Sequence, residues 1–234
     1  MNRLFLQKER RRQPKRDSQL DGRSTEIKLS RYSRQQEQHV EWQPRTILGT
    51  MVLSGKINSM DQIFENGMRI QEPEIVKHLI PDIRSQVIHV GIVQKQTDAG
   101  EMTRFNALVA VGNEAGWFGV GKGKAAQMRL AIDKATMASY LNVIPVKLGC
   151  GSWECRCNQL HSIPFKVKGK GGSVAIEIIP GPRGLSLVAG ENIKSLLKLA
   201  GIKDAWTKTF GSTNTMSSAT KAIFTALRRT YITG

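Results

Sequence analysis

Three cysteines and one histidine fall within twelve residues: Cys150, Cys155, Cys157 and His161, spaced C-x4-C-x-C-x3-H. Three thiolates and an imidazole are a soft donor set, and four such ligands can close a tetrahedral zinc site. Gly149 and Gly151 flank the first thiol and let the chain fold back sharply. The spacing departs from paired C-x2-C ligands, and C-x-C is a cramped chelate. The same residues therefore also read as free thiols stiffening a loop. A catalytic reading would make Cys155 a nucleophile with His161 as its base, but the two neighbouring thiols favour metal or structure. Zinc is the one candidate cofactor. His78 and His89 stand apart from any such cluster and read as structural.

A second chemistry is phosphate binding. The stretch RFNALVAVGNEAGWFGVGKGKA, residues 104 to 125, ends with Gly119, Gly121 and Gly123 interleaved with Lys122 and Lys124. Glycines let another backbone or a phosphate chain come close, and lysines attract it. Gly116 to Lys122 satisfies G-x-x-x-x-G-K, yet Gly123 stands where a nucleotide cradle needs Ser or Thr for magnesium. A polynucleotide backbone fits better than a mononucleotide. Lys166, Lys168 and Lys170 form a second basic row, alternating with Phe165 and Val167. Lys95, Arg104, Arg183 and Lys208 complete the candidate RNA-binding set with Lys122 and Lys124.

These residues need rigid elements beneath them. Phe105, Ala107, Val109 and Val111 alternate with Arg104, Asn106, Leu108 and Ala110, which predicts a strand with one apolar and one mixed face. Ile88, Val90 and Ile92 give the strand before it, with Gln96 to Glu101 as hairpin tip. Trp117, Phe118 and Val120 give the strand after it, and the glycine–lysine corner opens a helix from about Lys124 to Leu141. Upstream, Ile47 to Val52, a Ser59–Gln62 capping box and Pro73 at a first helical position predict three short helices. Downstream, Ile163, Phe165 and Val167 start a strand that Gly169, Gly171 and Gly172 break. Val174, Ile176 and Ile178 form the next one. Residues 183 to 190 read as an irregular loop. A helix around Ile193, Leu196 and Leu197, a strand from Asp204 to Phe210 and a last helix opened by Thr215 follow.

Composition narrows the partner. The chain has 234 residues, with 35 Lys+Arg against 19 Asp+Glu and a formal net charge of +16. That excess points to a polyanion, most commonly nucleic acid. No apolar run reaches the ~18 residues needed to span a bilayer, and the start MNRLFLQKERRR carries no apolar signal core. Few, clustered cysteines favour a reducing cytoplasm. The resulting organisation is a basic tail over 1–41, disordered when free and suited to folding onto RNA as an arm. A short-helix extension over 42–82, a first α+β domain over 83–148, a Cys/His connector over 149–162 and a second α/β domain over 163–234 follow it.

With those residues laid out, the chain resembles the ribosomal protein S-five family of the small ribosomal subunit. The segments FNALVAVGNEAGWFGVGKGKA, IPFKVKGKGGSVAIEIIPGPRGLSLVAG and LAGIKDAWTKTFGSTNTMSSATKAIFTAL carry the resemblance, in family order, from roughly Trp42 to Tyr231. WQPRTILG, EPEIVKHLIP and VKLGCGSWECRC look archaeal-type. The resemblance implies a double-stranded-RNA-binding-like domain, a three-stranded antiparallel sheet plus helix, then a two-layer domain with a βαβ crossover. It implies a non-enzymatic, ribosome-bound place in the cytoplasm on small-subunit ribosomal RNA. There the neighbours are ribosomal proteins S-four, S-eight and S-three, with mRNA nearby at the channel entrance. The family's hairpin falls on Gln94 to Phe105; its tip here carries Asp98 and Glu101 and is acidic where bacterial members are basic. A free-standing RNA-binding regulatory or processing protein is the alternative reading.

Overall fold

The computed structural model describes residues 42–155, 157 and 159–232. The basic arm expected over residues 1–41 lies outside them. Among the described residues, three short helices come first: α1 (Ile47–Leu53), α2 (Met60–Glu65) and α3 (Pro73–Leu79). Thr46 caps α1, its Oγ1 accepting from Gly49 N at 3.1 Å. The reciprocal box at α2 does not form. Ser59 makes no side-chain cap bond, and Gln62 Oε1 instead accepts from Asn58 N at 3.3 Å. Pro73 opens α3 as expected.

Next come β1 (Arg84–Thr97), β2 (Gly100–Gly112), β3 (Trp117–Ala125), helix α4 (Met128–Leu141) and β4 (Val143–Pro145). The sheet is antiparallel in the order β1-β2-β3-β4. It therefore has a fourth strand beyond the three that the sequence reading gave the first domain. The glycine–lysine stretch is also not the start of a helix. Lys122 pairs in register with Leu108 and Lys124 with Asn106, so the strand runs on to Ala125. Its glycines have a steric purpose. A Cβ on Gly121 would meet Ala135 O at 2.1 Å, and one on Gly123 would meet Ala131 O at 2.4 Å. Helix α4 lies directly on the β3 backbone through Ala131, Ala135 and Ser139. Neither real strand nor real helix could hold that spacing with side chains between them.

The second half contains β5 (Val167–Gly171), β6 (Val174–Pro180), β7 (Leu187–Val188), α5 (Glu191–Leu199), β8 (Ala205–Phe210) and α6 (Met216–Ile232). Its sheet order is β5-β6-β8-β7, antiparallel except that β7 runs parallel to β8. β7, α5 and β8 form the βαβ crossover; the short strand β7 lies inside the stretch read as irregular loop. Gly169 and Gly171 do not break β5 but belong to it. A Cβ on Gly169 would meet Ala222 O at 2.0 Å, and one on Gly171 would meet Ser218 O at 2.3 Å. The same device thus recurs: glycines on one face of a strand seat a helix bearing small residues.

One core cluster joins Ala110, Phe118 and Ile144 of the first sheet, and Val146 just after it, to Val174, Ile176, Leu197 and Ile223 of the second half. A smaller one, Ala107, Val109, Ala125, Ala131 and Ala135, lies under α4. Strand β2 is consequently buried on both faces from Ala107 to Gly112. Its expected mixed face holds Leu108 and Ala110, both buried, and Ala110 packs in the cluster shared with the second half. The two halves also bond directly, with Glu114 N donating to Leu199 O at 3.1 Å and Lys147 N to Thr230 Oγ1 at 3.2 Å. Residues from Pro44 onward form one unit. Among the described residues, no helix is long and apolar enough to cross a membrane.

Candidate nucleic-acid interface and thiol cluster

Helix α4 covers the face of the first sheet that carries Gly121 and Gly123. Strand alternation therefore turns Lys122 and Lys124 to the opposite face. Register brings more cations to that face. Lys124 lies across from Asn106, Arg104 across from Val93, and Lys95 across from Met102. Lys95, Arg104, Lys122 and Lys124 are all exposed. Asn106 lies among them, and its buried Oδ1 has no hydrogen-bond partner among the described residues. The β1–β2 hairpin extends this face outward. Thr97 and Gly100 close it, with Thr97 Oγ1 donating to Gly100 O at 2.7 Å. Its outer part buries nothing large: Ile92 is 65% exposed and Met102 48%.

The second sheet repeats the arrangement. Val167, Gly169 and Gly171 face α6, and Lys168 and Lys170 face away, exposed. Lys168 lies across from Glu177, which lies across from Lys208. Glu177 is the residue that sequence reasoning overlooked. Its carboxylate takes Lys166 Nζ at 2.9 Å and Lys168 Nζ at 3.2 Å while its side chain is only 13% exposed. Those hydrogen bonds, from Lys166 first and Lys168 second, hold the Glu177 carboxyl below its usual range. The alternation Val174, Ile176, Ile178 did point Glu177 outward, toward the lysines; that was its only signal. Aromatic groups share this face. Lys168 Nζ lies 5.7 Å from the Phe210 ring centroid, and Trp206 is half-exposed. Trp206 and Lys208 also line an open groove of about 410 Å³ with Trp153 and Glu154. Arg183 is exposed on the loop after β6.

The four metal-candidate residues do come together. Their ligand atoms all lie within 4.8 Å of one another. The loop that carries them is closed at its base by reciprocal bonds between Gly149 and Ser162, at 2.8 and 2.9 Å. Gly151 N donates to Ile163 O at 3.2 Å, a further clamp. Cys155 Sγ is 3.0 Å from Cys157 Sγ and 3.7 Å from His161 Nε2, and Cys157 Sγ is 3.7 Å from Cys150 Sγ. All three cysteines are free thiols. The hydrogen bond from Cys157, followed by the backbone N–H groups of Arg183 and Cys157, lowers the Cys155 thiol to about 6. Desolvation, then the hydrogen bonds with Cys155 and Cys157, pushes Cys150 up to about 11. His161 is buried, and its Nδ1 lies 2.9 Å from Asp204 Oδ2. A carboxylate can only accept, so Nδ1 carries the proton and Nε2 presents its lone pair to the thiols. Asp204 Oδ1 in turn accepts from Ser186 N at 2.7 Å. Asp204 lies 43 positions from His161, beyond any spacing argument.

Fold and faces together define a basic α+β protein of two sheet-and-helix layers, each with exposed lysines on the side away from its helix. Two family models match it: "Ribosomal protein S5, N-terminal domain" over residues 83–147 and "Ribosomal protein S5, C-terminal domain" over residues 169–233. The small ribosomal subunit protein uS5 of Cenarchaeum symbiosum is 56% identical over 204 residues, covering 87% of this chain and 93% of the relative. That of Thermofilum pendens is 53% identical over 191 residues, covering 82% and 95% respectively. That of Pyrobaculum aerophilum is 55% identical over 190 residues, covering 81% and 87%. The chain belongs to the uS5 family of small ribosomal subunit proteins, in its archaeal-type branch. The family is a structural one, not one of enzymes.

Proposed function

We propose that this chain is a structural constituent of the small ribosomal subunit in the cytoplasm, holding ribosomal RNA on the open faces of both sheets. Lys95, Arg104, Lys122 and Lys124 make the first contact surface. Lys166, Lys168, Lys170 and Lys208 make the second, with Arg183 beside it. One observation carries this reading. In each sheet a strand alternates glycine with lysine, so the glycines seat a helix on one face and the lysines stay exposed on the other. Phosphates supply the affinity on such faces, and Trp206 and Phe210 offer rings on which unpaired bases can stack. The long β1–β2 hairpin, with little of its own surface buried in its outer part, suits insertion between RNA segments. Neighbours in this reading are ribosomal proteins S-four, S-eight and S-three. The protein then contributes to subunit assembly, to the mRNA channel entrance and to translational accuracy.

The test is salt-dependent binding to small-subunit RNA. Each lost phosphate contact lowers the slope of log K against log salt by about one unit or less. A Lys122→Ala, Lys124→Ala double variant should bind more weakly with a shallower slope. A Lys166→Ala, Lys168→Ala, Lys170→Ala triple variant should lose less per lysine, because Glu177 already engages two of the three. Unchanged slopes in both variants would make these faces merely solvated. Sedimentation with small subunits through a high-salt wash separates a constituent from a free-standing RNA-binding protein, which would wash off.

A further inference from the structure

We propose that Cys150, Cys155, Cys157 and His161 bind one zinc ion, with Asp204 as the carboxylate that orients the histidine. The donor set is complete: three sulfurs and one imidazole nitrogen, all mutually within 4.8 Å, drawn from a single loop. Zinc–sulfur bonds of ~2.3 Å at the tetrahedral angle put ligand atoms ~3.8 Å apart. Cys157–Cys150 and Cys155–His161 stand at 3.7 Å. The shorter Cys155–Cys157 separation, 3.0 Å, is a thiol–thiol hydrogen bond that a metal would open. The groups around the ligands support the same assignment. His161 is fixed by its Nδ1–H on Asp204, which leaves Nε2 as donor atom; this is the outer arrangement that zinc-bound histidines favour.

The site's place in the fold gives it a purpose. Between Cys150 and His161 the described residues are exposed or only half-buried, and Trp153 is 89% exposed. Outside the loop's base, few backbone bonds hold its described residues, Cys155 N to Ser152 O at 3.2 Å among them. The metal would fasten this loop to its own closing residues and, through His161 and Asp204, to the start of β8. Trp153 would then be held at the groove it lines with Trp206 and Lys208.

The full chain, purified after growth with zinc, should contain about one zinc per chain by elemental analysis. Replacement by cobalt should give the intense visible bands of a tetrahedral site with thiolate charge transfer. His161→Cys keeps four ligands and should hold cobalt with a spectrum shifted toward four sulfurs. Cys155→Ser should lose the site. Asp204→Asn should weaken zinc about 10–100-fold without changing stoichiometry at saturation. Where Cys155→Ser fails to fold, the cobalt spectra of the natural chain and of His161→Cys decide alone. Two results overturn the proposal. One is a folded chain that retains no zinc at equimolar metal while its three thiols react equally with and without zinc. The other is a cobalt spectrum that is octahedral and lacks thiolate charge transfer.

Discussion

Glu177 makes the clearest case at the scale of single residues. It stands between Lys168 and Lys208 in the register of the second sheet and holds Lys166 as well. One carboxylate therefore spaces a row of like charges that would otherwise repel one another. Its cost is to RNA binding, since lysines engaged by Glu177 are less available to phosphate. Glu177→Gln keeps the shape and removes the charge. RNA affinity should rise and the salt slope steepen, by about one unit or less for each lysine released. Stability of the free protein should respond in the opposite sense, and with a defined pH dependence. The folded-state pKa lies below the ordinary value of 4.5, so the ion pairs stabilise the fold above about pH 4.5. That stabilisation fades as pH falls through the lower folded-state value, where the carboxyl protonates in both states. Urea unfolding of the natural chain and the variant should differ near neutrality and converge in acid. A difference that widens on acidification would remove Glu177 from this role.

At the scale of elements, the packing of α4 on β3 rests on what the strand leaves out. Ala135 O and Ser139 N occupy the space a Cβ on Gly121 would need, at 2.1 and 2.3 Å. Both are backbone atoms, so no rotamer change relieves the clash, and the helix must move off the sheet. Gly121→Ala should destabilise the protein by about 1–3 kcal/mol or more, the cost of overpacking. Lys122→Ala, one residue on and facing outward, should change stability by less than about 0.5 kcal/mol. Thermal unfolding of the two variants measures both; equal effects would mean that α4 does not sit where described. The same geometry explains what was legible in the sequence. Alternation located β1, β2 and β6, and apolar spacing located α5 and α6. Glycine was misread because it carries two opposite messages, a break in a strand or a close approach to one. Only the partner helix, with Ala131, Ala135 and Ser139 or Ser218, Ala222 and Ala226 on its facing side, tells them apart. Strands β4 and β7 escaped notice because three and two residues cannot show a period. The thiol cluster was visible as spacing, whereas Asp204 and Glu177 depended on tertiary contact.

At the scale of the whole molecule, two sheets that read as successive domains share one core. Phe118 and Ile144 of the first sheet lie in the same cluster as Ile178, Leu197 and Leu227 of the second half. Glu114 and Lys147 bond across to Leu199 and Thr230. Apolar burial is the dominant stabilising term, so separating the halves would expose a contiguous part of what stabilises each. The described residues from Pro44 onward should therefore unfold in one cooperative step, with equal calorimetric and van't Hoff enthalpies. A fragment ending at residue 148 would expose the Ala110, Phe118, Ile144 and Val146 face and should give no cooperative melt of its own. The charge acts in the same direction on both halves. A net charge of +16 repels itself in the free protein, so moderate salt should raise the melting midpoint by screening, and RNA should raise it further by binding the folded state alone. Two resolved transitions in the calorimeter, or a stable fragment over residues 42–148, would show that the shared core contributes little and that the halves fold independently.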